Sequence, residues 1–549
     1  MRKIVWICAR VLICWVSVFF GFGVLTTALA QEPSQTEALS LGTKPTPFRP
    51  DAGLQMLIAT KSGEAQAHVT QGLAYLLTFW DEAAYREFKR AVELDSDCLM
   101  AHWGLALSTI TPFDEREEEK VNSLRRLQDI VKTQKLTNRE VAYAETMLTL
   151  LKEGPHATGE AFAKIAGQWR SDEMATLFAV LFYRDGFSDL GDPKPGQVKA
   201  REMLDELIAK KPSLFAACFL RALIEETNPD VDAKTVEQAR YVVGLAPEYA
   251  PAQLLLGHFL FRTGEYEQAE KCFTRAAELY NQWAICEGIK MADNDGYFRA
   301  LVYRATSEWC RGDKAKAKKT ARDLALLPVD TKRPKSKGTL IQLWEVRSLP
   351  LRLTVSEYPC PSRKDFEKVK PQDLALAKSE LSHVMLALAM EFASSRLAFS
   401  AKDVSAMRQL LTNVDKIAAV LLPAGPQAEK SSCLSYWMRS LWMADRMILE
   451  GKAMLYSDSA TLWLKNAVDS QKCASLLLPP ILPYPAEWTL ARHYLSQGDA
   501  VACIGACEQG LKRFPNHASL LKTKKIAQDS LSNKKTDTKP KLKGCRRNK

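Results

Sequence analysis

One short pattern of paired helices recurs along this chain, and it constrains the fold more than any other feature. Within residues 252–279, a first apolar helical face stops at Thr263 and Gly264, and a second helix places alanines and Phe273 on one face and charged residues on the other. Two helices this short bury too little surface to offset the ordering of their backbone, at roughly 1–2 kcal/mol per residue. The pair therefore requires neighbouring pairs to pack against.

The same pattern occurs elsewhere in the sequence, as expected if each helix pair packs against neighbouring pairs. A second good copy is QGLAYLLTFWDEAAYREFKRAVELDSD at 71–97, and a third runs from Leu490 to Pro515. Partial copies begin at Ala200, Ala222 and Ala305. Self-similarity near a period of about 34 residues predicts a solenoid of stacked helix pairs.

The best copy resembles the signature of a known repeat. Its order Leu256-Gly257, Leu260, Gly264, Ala269, Phe273 and Ala276 is similar to the L-G-x-x-Y…A-x-x-x-F-x-x-A signature of the tetratricopeptide repeat (TPR). The resemblance implies an all-α fold, a TPR helix-turn-helix solenoid coiled as a right-handed superhelix and interrupted by irregular insertions. The small residues would let two helices approach closely, with Phe273 filling the space between them.

A longer segment points to a narrower group. AYREFKRAVELDSDCLMAHWGLAL at 84–107 is similar to the opening unit of large exported bacterial TPR proteins of uncharacterised function. Some of those proteins carry a His-rich stretch where this chain has PAQLLLGHFLFRTG, of which only His258 remains. If that stretch binds metal in them, the resemblance implies that this chain has lost the site.

The first thirty residues predict export. Arg2 and Lys3 precede an apolar run that ends in Ala28-Leu29-Ala30, the pattern of a cleaved secretory signal peptide. The alternative is an uncleaved membrane anchor, because residues 11–30 approach the roughly 20 residues that a spanning helix needs. We expect a periplasmic or envelope-associated protein.

Changes in composition predict the domain boundaries. The acidic insertion TPFDEREEEK and the Pro- and Lys-containing segments LPVDTKRPKSKG and EYPCPSRKDFEKVKP interrupt the repeat pattern. The predicted sections are a signal peptide at 1–30, a linker at 31–52, a TPR array at 53–330, an irregular linker section at 331–371, a second TPR-like helical section at 372–529 and a basic disordered tail at 530–549.

The charge distribution argues against a specific nucleic-acid partner. The formal net charge is +11, but residues 534–549 and the signal peptide carry most of it, so the folded middle is nearly neutral. The polybasic tail lacks interleaved aromatic residues, so it is either a solubilising end or a weak contact to an anionic surface.

No motif predicts catalysis, a cofactor or a metal site. The seven histidines lie far apart in sequence, and neither a Walker loop nor an H-E-x-x-H or G-x-S-x-G motif is present. Cys503 and Cys507 share a helical face, which two ligands to a soft metal would also do, but TPR-like packing by small residues explains the spacing better.

The predicted function is therefore that of a binding module. In TPR proteins one face of each first helix lines the concave groove, and an Arg, Trp and His mixture suits an extended peptide. The resemblance maps this face onto His258, Phe261, Arg262, Arg299, Val302, Trp309, Trp488 and Arg492. The alternative for these residues is coverage by the next turn of the chain. An exported scaffold with a protein or peptide partner is the first hypothesis, and an envelope enzyme or metal protein framed by the solenoid is the second.

Overall fold

A computed structural model describes residues 50, 53–54, 56–110, 114–188, 191–357, 361–371, 389–391, 393–398, 402–421, 447, 459–472 and 485–537. Every regular element in these ranges is helical, and the one extended pairing is an isolated bridge between Phe187 and Pro193. The first half of the array comprises α1 Gly63–Leu77, α2 Asp81–Leu94, α3 Leu99–Ser108, α4 Glu117–Thr133, α5 Asn138–Lys152, α6 Pro155–Gln168 and α7 Glu173–Tyr183.

The second half continues the same alternation. It comprises α8 Pro195–Lys210, α9 Phe215–Leu223, α10 Ala233–Leu245, α11 Ala250–Arg262, α12 Tyr266–Glu287, α13 Asp295–Arg311 and α14 Lys314–Ala325. Short 3-10 turns at Asp114–Arg116 and Met291–Asp293 precede α4 and α13. Each of these helices packs against the next along the chain, and first helices of successive pairs also touch, as α1 does with α3 and α3 with α5. The predicted all-α solenoid of helix pairs is confirmed.

Close contacts at glycine set the spacing within a helix pair and between successive pairs. A Cβ added at Gly257 of α11 would lie 2.5 Å from the ring of Phe273 on α12. A Cβ at Gly104 of α3 would lie 2.1 Å from the ring of Phe88 on α2. Both rings are fully buried. The aromatic residue of the repeat thus fills the space that the missing side chain leaves, as the sequence predicts.

The array closes on itself, which the repeat pattern does not predict. Helix α1 contacts α7 and α9 as well as its neighbours. The hydroxyls of Thr78, at the end of α1, and Tyr249, before α11, are 2.6 Å apart although the two residues are 171 positions apart in the chain. The turn between α1 and α2 therefore packs against the start of α11 and against α12.

The section predicted as an irregular linker contains further helices. They are α15 Lys337–Ile341, a π-helical turn at Gln342–Val346, α16 Arg347–Val355 and α17 Arg363–Glu367. Ile341, Val346, Leu349 and Leu353 form one buried cluster with residues of α13 and α14. This section therefore packs onto the array as part of its core.

The C-terminal units pack against the turns of the array. The described helices are α18 Val404–Leu421, α19 Ser459–Lys472, α20 Ala486–Ser496, α21 Ala500–Arg513 and α22 Ala518–Asp537. The side-chain amide of Asn516 donates to the carbonyl of Gly264, between α11 and α12, at 3.3 Å. Helix α22 runs past residue 530, where the sequence predicts a disordered tail.

Several predicted segments lie outside the described residues, including the signal peptide, most of 31–52, much of 372–484 and the tail beyond 537. Among the helices that the structure does describe, none has the length and apolar character needed to span a membrane.

Candidate functional site

A pocket of about 80 Å³ lies where the α1–α2 turn meets helices α9, α11 and α12. The pocket is lined by the α1–α2 turn and the start of α2, by helices α9, α11 and α12, by the start of α13 with the 3-10 turn before it, and by the beginning of α15. Its lining residues are Phe79, Trp80, Asp81, Glu82, Phe219, Leu223, Glu226, Pro251, Leu254, Leu255, His258, Tyr280, Trp283, Asp293, Asn294, Asp295, Gly296, Arg299 and Lys337.

Aromatic side chains form one wall of the pocket. The Trp80 ring lies 5.3 Å from the ring of Tyr249, 5.4 Å from Tyr280 and 5.0 Å from Trp283, measured between centroids. Edge-to-face and tilted contacts of this kind add to the stabilisation that burial alone provides. The closure of the array therefore depends on a residue in the α1–α2 turn, outside the repeat signature.

An ammonium group from the section after the array enters the pocket. Lys337 Nζ lies 3.0 Å from the carboxylate of Asp295, at the start of α13, and 3.6 Å from that of Asp81, at the start of α2. Burial opposes the charge, but these two carboxylates outweigh it and raise the pKa of Lys337 above its ordinary value. Lys337 is therefore held here as a cation.

A chain of ion pairs forms the rim of the pocket. Arg116 forms ion pairs with Glu82 at 2.8 Å and with Asp293 at 3.3 Å, and Arg333 contacts Asp293 at 2.6 Å and Glu115 at 2.9 Å. Burial raises the pKa of Glu82 to about 7, although the Arg116 guanidinium opposes that shift. These ion pairs thus join the acidic insertion to the Lys- and Pro-containing segment at the rim. Both segments interrupt the repeat pattern in the sequence.

Two side chains of the pocket present hydrogen-bond acceptors. His258 Nδ1 lies 2.9 Å from a carboxylate oxygen of Glu226, and the Asn294 side-chain amide donates to the carbonyl of Tyr280 at 3.2 Å. No hydrogen-bond partner within the described part of the chain meets His258 Nε2 or Asn294 Oδ1. Both side chains are buried, with 4% and 1% of the residue exposed.

Arg299 is the second cation of the lining. Its guanidinium lies 3.8 Å from Asp295, one turn earlier on α13, and 3.9 Å from Glu345 in the π-helical turn. Burial raises the pKa of Glu345, although Arg299 and Arg352 oppose that shift. Arg299 therefore links the pocket to the section that follows the array.

The structure brings together two of the eight predicted groove residues, His258 and Arg299, in this one pocket. Val302 and Trp309 belong instead to the buried cluster that α13 forms with α14 and α16. The chain itself covers these two side chains, so in this conformation a partner does not reach them. The predicted open groove therefore narrows at α13, because the section after the array packs there.

The other predicted residues contact side chains and carbonyls of their own or adjacent helix pairs. Phe261 packs edge-on against Tyr266 with 5.4 Å between ring centroids, and Arg262 donates to the carbonyls of Glu226, at 2.8 Å, and Asn228. In the last unit, Trp488 donates to Thr523 at 3.0 Å, and the Arg492 guanidinium lies 5.0 Å from the centroid of the Trp488 ring. These residues lie outside the pocket.

The two cysteines on α21 have the environment of packing residues. Cys503 and Cys507 are fully buried, and burial raises the pKa of both thiols, that of Cys507 to about 12. Thiols with raised pKa values are poor nucleophiles and poor metal ligands at neutral pH. Within the ranges that the structure covers, no group of three or more His, Cys, Asp or Glu side chains is placed to hold a metal ion.

Most pocket residues were not predicted from the sequence. Trp80, Asp81, Asn294 and Asp295 lie in turns or at helix starts, and Lys337 lies beyond the array. None of them occupies a signature position, so the repeat pattern does not single them out. One sequence feature that could have indicated the pocket is the WDE run at the α1–α2 turn. A tryptophan in a turn indicates that the turn is buried, because an exposed loop does not require one.

Comparisons with known proteins identify the repeat. Residues 250–282, which span α11 and most of α12, match the family model described as tetratricopeptide repeat. No curated protein sequence matches the chain.

Solved structures with similar helical arrays share little sequence with this chain. The human IFIT1 dimer with m7Gppp-AAAA is 14% identical with a TM-score of 0.34, and the match covers 86% of this chain and 92% of that one. Yeast Tom70 is 13% identical with a TM-score of 0.22, and the match covers 87% of this chain and 98% of that one. At these TM-scores, what such proteins bind says nothing about this chain.

Proposed function

We propose that this chain, in which residues 250–282 match the tetratricopeptide repeat, is an exported scaffold of the bacterial cell envelope that binds a protein or peptide partner on its concave side. The observation that carries the proposal is the pocket, in which aromatic residues, charged residues and unsatisfied acceptors from distant parts of the chain converge. A few convergent polar groups in an otherwise apolar concavity are typical of binding sites.

The pocket supports binding better than the remaining surface of the array does. Val302 and Trp309 are covered by the chain itself, whereas Leu254 and Trp283 are partly exposed at the pocket. Aromatic side chains that are already ordered lose little conformational entropy on binding, so they suit a partner's anchor residue. Export rests on the N-terminal apolar run that ends in Ala28-Leu29-Ala30.

Site-specific photo-crosslinking in the native cells tests the proposal. A photoreactive p-benzoylphenylalanine in place of Trp283, an aromatic residue of the pocket wall, should give a discrete covalent product with one partner. The same photoreactive residue in place of Ile285, which is 69% exposed on α12, serves as the matched control and should not give that product. Equal labelling from the two positions, or no product from position 283, would contradict concave-side binding.

A further inference from the structure

Two buried atoms of the lining, His258 Nε2 and Asn294 Oδ1, can accept hydrogen bonds. In the tautomer in which His258 Nδ1 donates to the Glu226 carboxylate, Nε2 presents a lone pair. The Asn294 amide nitrogen donates to the carbonyl of Tyr280, so Oδ1 is the atom of this side chain without a hydrogen-bond partner in the described residues. Buried acceptors without a donor are costly and rare in folded proteins. The pocket therefore favours a ligand that brings hydrogen-bond donors.

The charged residues that line the pocket determine which sign of charge a ligand should carry. Five carboxylates and two cations line the pocket. Arg116 and Arg333 neutralise Glu82 and Asp293 from the rim. The carboxylates that remain, from Asp81, Glu226 and Asp295, outnumber the cations Arg299 and Lys337. Aromatic faces such as that of Trp283 also attract cations.

The size of the pocket limits the ligand to a slender group. A volume of about 80 Å³ is several times the roughly 10–15 Å³ that one water molecule requires by this measure. An alkylammonium group fits this space, whereas a folded segment does not. Lys337 shows that the surroundings accommodate an ammonium group, because it lies between Asp81 and Asp295.

We propose that the pocket binds the side chain of a lysine presented by the partner, with the ammonium group donating to His258 Nε2, Asn294 Oδ1 and the Asp81 carboxylate. This inference rests on the proposed function and specifies the chemistry of the same site. An ammonium group has three donors on one compact centre, which suits separate acceptors around a small volume. A guanidinium is planar and larger and prefers carboxylates that it can contact in a forked arrangement.

Binding of short peptides to the full-length mature protein tests the proposal. The probes are the acetylated, amidated pentapeptides Ala-Ala-Lys-Ala-Ala and its norleucine and arginine counterparts, observed by saturation-transfer NMR. The lysine peptide should receive saturation at its side-chain methylenes, and the norleucine peptide should not. Equal saturation of the lysine and norleucine peptides, or stronger binding of the arginine peptide, would overturn the assignment.

Three variants locate the binding. Asp81→Asn removes the carboxylate charge and should weaken binding of the lysine peptide by about tenfold or more. Leu254→Trp fills the pocket without changing charge, so it should abolish the signal even if Asp81→Asn perturbs the fold. Glu93→Gln makes the same charge change on the outer face of α2, where the carboxylate is 54% exposed, and should bind as the unmodified protein does. Unchanged binding by Leu254→Trp would place the peptide elsewhere and refute the proposal.

The two proposals fail in different ways. If photo-crosslinking from position 283 captures a partner but the three peptides behave alike, the lysine assignment is wrong and concave-side binding stands. If the lysine peptide binds selectively but position 283 captures no partner, the pocket chemistry is supported and the scaffold proposal is contradicted.

Discussion

Replacing Gly257 by alanine tests the packing on which the repeat depends. Gly257 lies inside α11, where alanine is normally the better residue by about 0.8–1 kcal/mol, because glycine costs more backbone entropy in a helix. The new Cβ would lie 2.5 Å from Phe273 Cε1, closer than carbon atoms can approach. The ring is fully buried and packs on Tyr303 with 5.4 Å between centroids, so its movement disturbs α13 as well.

The gain in helix propensity and the steric contact with Phe273 oppose each other, and their magnitudes decide whether the substitution stabilises or destabilises the protein. Overpacking of a well-filled core costs roughly 1–3 kcal/mol, which exceeds the helix-propensity gain. We expect Gly257→Ala to destabilise its unit by about 1 kcal/mol. Gly505→Ala is the matched control, because Gly505 lies in the middle of α21 and a Cβ there meets no atom within 4 Å. That variant should stabilise its own helix by about 1 kcal/mol.

Hydrogen exchange followed by mass spectrometry is the suitable assay, because a long repeat chain need not unfold in one step. Peptides from α11 and α12 should exchange faster in Gly257→Ala, and peptides from α21 should exchange more slowly in Gly505→Ala. Phe273→Leu should destabilise the Gly257→Ala variant less than it destabilises the unmodified protein, because the smaller side chain relieves the contact with the new Cβ. Slower exchange in Gly257→Ala would refute the argument that the glycine is required for close approach.

Two further predictions concern acid stability and export. Burial, with the Lys314 charge, lowers the pKa of His517 to about 4, so the folded state holds a neutral ring that the unfolded state protonates below about 6.5. Stability should therefore fall as pH drops from 6.5 towards 4, by up to about 3 kcal/mol, and His517→Gln should flatten that part of the denaturation profile. The mature protein should begin at Gln31, which an intact mass checks, and recovery of residues 1–30 with the membrane fraction would indicate an anchor instead.

The sequence predicts the helix pairs well because periodicity is a local property. The pattern in residues 252–279 predicts a first helix that ends before Thr263, and α11 spans Ala250–Arg262. The same pattern predicts that the second helix ends at residue 279, but α12 continues to Glu287 and ends only at Gly288, which has a left-handed backbone with φ of 63°. The repeat length suggests an earlier end, yet no glycine or proline between the two positions would stop the helix.

The pocket could not be predicted in this way because its contacts are between distant residues. Thr78 meets Tyr249, and Glu115 meets Arg333 across 218 positions. A repeat pattern gives the buried face of each helix but not the small rotation between units, and that rotation decides whether an array stays open or closes. Mapping the groove from the signature therefore placed Val302 and Trp309 on a surface that α16 covers.

Residues from segments that interrupt the repeat form the rim of this pocket. Glu115, Arg116 and Arg333 come from segments outside the helix pairs, and partly exposed ion pairs such as theirs add little to stability individually. Their arrangement instead fixes position, because Arg333 is held at the rim four residues before Lys337 enters the pocket. Signature residues such as Gly257 and Phe273 build a frame that any TPR shares. Partner specificity in this protein should therefore be sought in the turns and insertions, and not in the signature residues.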